Sequence, residues 1–242
     1  MTNIEPRSPF RGRGFIAASI VVGVIALAAI IVLISSLARS SDDPKATPSN
    51  VPSSTSTAVA GDKSVCGLDG FETKSTLTQA PKNEWELVGT VAAPTEPTSA
   101  GPGVTDEGFR SCYAHTAKGA LYAAVNWFAL SSDARNIPKL PSLVEPGAGR
   151  DAAIAAATSS PTAPSDTRLQ VAGFKINSYD GQEAVIDVAW TVTSKNGVLV
   201  SLPTVLHWIG GDWKIVLTDK GTFPYTSSPL KNLGGYIPWA GV

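Results

Sequence analysis

Two cysteines and two histidines are the only thiols and imidazoles in this chain of 242 residues. Cys112-Tyr113-Ala114-His115 sets a thiol three residues from an imidazole, and His207 stands between Leu206 and Trp208 in an apolar run. A thiol beside an imidazole can be a nucleophile with its base, or half of a metal site. Structural zinc takes four protein ligands, and nucleophilic catalysis needs a base and an orienting group as well. The chain has too few such residues for either. The expected roles are structural: a disulfide between Cys66 and Cys112, a place at a helix start for His115, and a partly buried, hydrogen-bonded His207. The carboxylates that could supply acid or base are dispersed. Asp187 alternates away from Trp190, Asp180 and Asp212 fall in turns, and Asp219 ends a strand. No metal, cofactor, nucleotide or phosphate-loop motif is present. The reading is therefore no catalytic residue, no cofactor and no metal.

The disulfide expectation depends on compartment. Residues 15–38 carry no Asp, Glu, Lys or Arg. About 20 such residues, at about 1.5 Å per residue in a helix, match a hydrocarbon core of about 30 Å. Arg7, Arg11 and Arg13 precede this stretch, which predicts a cytoplasmic N-terminus and a C-terminal part on the far side. A cleaved secretory signal is the competing reading, from the small residues Ser36-Leu37-Ala38. Its apolar core would exceed the usual length of about 7 to 15 residues. Either way, Cys66 and Cys112 lie outside the cytoplasm, where two cysteines most simply form one disulfide.

The expected organisation follows: a cytoplasmic stub (1–14), a transmembrane helix (15–38), a disordered Ser/Thr/Pro linker (39–64) and one extracytoplasmic domain (65–242). The linker has no aromatic residue, so it buries too little apolar surface to offset its ordering entropy. From residue 65 onward there are 13 Lys and Arg against 16 Asp and Glu, a net charge of −3. With no basic cluster to release counterions, the sequence does not indicate a nucleic-acid surface, and no nucleic-acid partner is expected.

Within the domain, residues 84–91 alternate as one short strand, and Pro94, Pro97, Gly101, Pro102 and Gly103 mark a long loop. Thr116 caps a helix over 117–130 whose apolar residues form a wide face. Residues 150–158 form a second, Ala-rich helix. From residue 167 the period changes to two. Four strands over 169–177, 183–193, 198–208 and 213–218, joined by short connections such as Asn196-Gly197 and Gly210-Gly211, predict an antiparallel meander. Ala184, Ile186, Val188, Trp190 and Val192 share the face toward the helices. The fold class is α+β, with helices packed on one face of a curved four-stranded sheet.

The endings VAGFKINSYDG, EAVIDVAWTVTS and TVLHWIGGDWKIVLTD resemble the C-terminal half of nuclear-transport-factor-2-like (NTF2-like) cone domains. Residues 112–116, Gly119, Ala120, Leu121 and 235–239 also resemble uncharacterised actinobacterial proteins with one membrane span, a Ser/Thr/Pro tether and an ectodomain. That layout is similar to the VirB8-like and TcpC-like components of conjugative DNA-transfer machines. The resemblance implies a non-catalytic, membrane-anchored interaction domain with protein partners in the cell envelope. The alternative is a small-molecule binder or cone-pocket enzyme. Candidate partner-binding residues are Tyr236 and Trp239, in a tail that either folds back over the sheet or docks on another subunit.

Overall fold

A computed structural model describes residues 63–159 and 167–240. In chain order these form β1 (Glu84–Val88), β2 (Val91–Thr95), β3 (Val104–Asp106), β4 (Phe109–Ser111), α1 (Ala117–Ser131), a 3-10 helix (Ile137–Leu143) and α2 (Ala148–Ser159). There follow β5 (Leu169–Tyr179), β6 (Glu183–Val192), a 3-10 turn (Thr193–Lys195), β7 (Val198–Ile209), β8 (Asp212–Ile215), β9 (Ser228–Leu230) and β10 (Ile237–Pro238).

Helix α1 begins where its cap places it. Thr116 is extended, and its Oγ1 accepts a hydrogen bond from the Gly119 N–H at 3.1 Å, satisfying one of the unpaired donors of a first turn. The expected apolar face proves to be nearly the whole circumference, since residues 119–130 are all buried. A helix apolar all round belongs in an interior. The β1–β2 hairpin and the large sheet both pack against it. Its one amide is used: Asn126 donates to the Pro94 and Tyr122 carbonyls and accepts from buried Arg110, which also pairs with Glu86.

The meander forms as expected, with β5, β6, β7 and β8 as successive antiparallel neighbours. Gly210 and Gly211 close its last turn at φ +61° and +81°, a left-handed pair that two-residue hairpins need. The sheet itself corrects the expectation. It has six strands, because β10 adds to the edge of β5 and β9 pairs with the far end of β7. The physical reason lies in strand length. β7 has 12 residues and β8 only 4, so Leu199, Val200 and Ser201 are left for β9 to pair.

Residues 84–95 differ as well. They form a hairpin turning at Gly89 instead of a single strand, and β3 and β4 form another two-stranded sheet within the expected long loop. Gly89 sits at φ +58°, and a Cβ there would meet Ser132 Oγ at 2.3 Å. That hydroxyl accepts from the Thr90 N–H at 3.0 Å, so the end of α1 clasps the turn.

The domain is thus mostly sheet, and the four-stranded NTF2-like arrangement is overturned by the six-stranded sheet and the two added hairpins. The expected transmembrane helix over 15–38 lies outside the described residues. Among the described residues no helix is long and apolar enough to cross a membrane.

Candidate functional site

Cys66 and Cys112 are disulfide-bonded, closing a loop of sequence separation 46. Cys112 is buried and takes φ +64°, a conformation that needs support from its surroundings. The support comes from buried Asp212. Its carboxylate accepts the Cys112 N–H at 3.2 Å, the Tyr113 N–H at 2.9 Å and the Trp213 N–H at 2.9 Å, while Lys214 reaches it at 3.2 Å. Trp213 Nε1 donates to the Ala114 carbonyl at 3.0 Å, so the last hairpin grips the segment that leads into α1.

The same grip seals His115. Its Nε2 lies 2.5 Å from the Gly181 carbonyl oxygen, and its ring stacks on Trp208 with centroids 3.9 Å apart. It is fully buried. His207 stands apart from it, half-exposed, with Nδ1 3.1 Å from Glu145 and Nε2 3.3 Å from Glu183. The structure therefore places His115 among Phe71, Trp208 and Trp213 and His207 between two carboxylates, and does not join the two histidines in one site. Among the described residues no group of three His, Cys, Asp or Glu could hold a metal ion.

The tail residues have different surroundings. Trp239 is a core residue, packed on Trp85, Tyr122 and Phe174, with Nε1 donating to Asn83 Oδ1 at 2.9 Å. Tyr236 is half-buried and donates from its hydroxyl to Asp187 Oδ2 at 2.7 Å, while Ser201 donates to Oδ1 at 2.7 Å. Asp187, assigned to the face away from the helices, is thus buried under the tail instead of open to solvent.

Burial above all pushes the Tyr236 phenol up to about 12; the Ser201 hydrogen bond opposes it, and the Asp187 hydrogen bond and charge add to the rise. The neutral phenol is the form the fold holds. Its stabilising share is complete below about pH 10, the ordinary tyrosine value, and is lost as pH rises toward 12. The urea midpoint is expected to fall across that window, and Tyr236→Phe to flatten part of the fall. Equal slopes for both proteins would contradict it.

A further concavity lies away from both histidines. A cavity of about 500 Å³ opens between α1, the 3-10 helix, α2, β7 and the segment after β8. Trp127 and Phe128 supply its floor from α1, with Leu140, Ala157, Leu202 and Phe223 around them. No Asp, Glu, His or Cys lines it, and Lys220 is its one charged residue. The volume is that of a site for one small ligand. Trp127 and Phe128 belong to the wide apolar face expected of the helix over 117–130. The signal for the cavity in the sequence is Phe223-Pro224-Tyr225, two aromatic residues in the segment after β8.

These observations define a disulfide-stapled domain of sheet and helix with an apolar cavity away from its histidines. Residues 46–238 match the family described as Domain of unknown function (DUF8175), and the chain belongs to that family. No curated protein and no solved structure matches the chain.

Proposed function

We propose that this chain is a non-catalytic interaction domain outside the cytoplasm, held at a membrane by its apolar segment 15–38, and that it captures an apolar group in the cavity beside α1. The cavity carries this reading: it is roomy, its lining is mainly apolar, and no carboxylate, imidazole or thiol lines it. The disulfide supports the compartment, since such bonds persist where the surroundings are oxidising. Partners in the cell envelope remain part of the proposal. The comparison with conjugative machines drew on an NTF2-like domain, which the six-stranded sheet does not support, so no particular assembly is proposed.

Decanol tests the cavity. A ligand that binds only the folded state raises the melting temperature with concentration. Decanol titrated into the full chain in lipid nanodiscs is expected to do so, and Ala157→Trp, which fills the cavity from α2, to abolish the rise. A melting temperature unmoved by decanol, or a rise that persists in Ala157→Trp, would sink the reading.

A further inference from the structure

The outer edge of β5 is only partly covered. β10 pairs with Phe174 and Gly173, and the Ala172 carbonyl accepts the Trp239 N–H at 3.1 Å. Ala172 and Phe174 therefore turn main-chain groups outward. The alternation of an antiparallel ladder turns the N–H and C=O of Ile176 the same way, and those of Lys175 toward β6. Past Phe174, no group among the described residues pairs with that outward N–H or C=O of Ile176. Such an edge is a template for a further strand.

A concavity of about 380 Å³ lies along this free stretch. Ile237 and Gly235 bound it where β10 ends, Tyr179 lies toward its other end, and Ser75 and Leu77, from the segment before β1, flank it from outside the sheet. From Phe174 to Tyr179 a strand spans about 17 Å at about 3.3 Å per residue, room for a short partner strand. Leu77, Ile176 and Ile237 are half-buried against the core, on the side that Phe174 faces, so a chain entering there meets apolar side chains as well as the main chain of β5.

The groove continues the place that β10 fills, and β10 sets the mode: antiparallel main-chain pairing with β5. A second copy of the chain does not fit it. Two β5 edges would have to lie within about 4.8 Å of each other, and Ser75 and Leu77 stand beside each of them. A single extended segment brings no such flank. Resting on the reading of this chain as an interaction domain, and not on its cavity, we infer that a protein partner inserts an extended segment antiparallel to residues 175–178, with main-chain bonds to Ile176 and an apolar side chain between Leu77 and Ile237.

The probe is the capped peptide acetyl-Thr-Val-Thr-Val-Thr-amide, which alternates polar and apolar side chains and carries no charge. Its control has the same side chains and methylated backbone nitrogens, so it lacks the main-chain donors. Each is titrated into the full chain in nanodiscs, with hydrogen exchange resolved to single amides. The Ile176 amide is expected to exchange freely without peptide, and about tenfold more slowly once about nine-tenths of the chain is occupied. The methylated control should leave it unchanged. Exchange unmoved by the first peptide, or slowed equally by both, overturns the inference. Protection that grows with protein concentration in the absence of peptide also overturns it, by assigning the edge to a second copy. Failure here with the decanol shift intact leaves the cavity reading standing, and peptide protection without a decanol shift sinks the cavity reading alone.

Discussion

Trp239→Ala is expected to lower the stability of this protein by about 3–5 kcal/mol, the usual cost of truncating a buried tryptophan. The side chain is 5% exposed and fills the space between Trp85, Tyr122 and Phe174, with ring centroids 4.8, 6.0 and 5.5 Å away. Its indole N–H is the partner of Asn83 Oδ1, and its backbone N–H donates to the Ala172 carbonyl at 3.1 Å. Removing the ring therefore opens a cavity and loosens the pairing of β10 with β5 at one edge of the sheet. For a domain of this size, about 2–4 °C per kcal/mol gives a fall of roughly 10 °C in a near-ultraviolet circular dichroism melt. Cross-linking to the proposed partners should be unchanged where the variant remains folded. An unmoved melting temperature with cross-linking abolished would assign the residue to an interface instead.

Loss of the disulfide is expected to cost about 4 kcal/mol in the chain-entropy treatment, for a loop of sequence separation 46. Cys66→Ala is the informative variant, because Cys66 is exposed and its replacement leaves no hole in the core, whereas Cys112 is buried. The effect reaches beyond the loop. Cys112 sits at φ +64° directly before the segment that Asp212 and Trp213 hold, and that segment leads into the cap of α1. The urea midpoint of Cys66→Ala should drop to that of the reduced wild-type protein. A variant as stable as the oxidised wild type would show that the cross-link contributes nothing the remaining contacts do not already supply.

The parts of this fold that were legible in the sequence are those whose cause is local. Thr116 caps α1 because a hydroxyl three residues before an amide can reach it, whatever surrounds the helix. The three long strands of the meander, β5, β6 and β7, show as period-two runs because each is long enough for alternation to register. The pairing of Cys66 with Cys112 follows from their being the only two cysteines, once they are placed outside the cytoplasm.

Tertiary structure decided the rest. Strands of two and three residues, such as β10 and β9, have no period to read; they exist because β5 and β7 offer unpaired edges at the places where the tail passes. Asp187 reads as a solvent-facing residue by alternation, yet it is buried, with Ser201 and the returning Tyr236 both donating to its carboxylate. The cavity is the furthest from local signal. Its wall draws on α1, the 3-10 helix, α2, β7 and the segment after β8, and no lining residue taken singly marks it. A void is a property of how faces fail to meet, and no residue carries that in its own type or spacing.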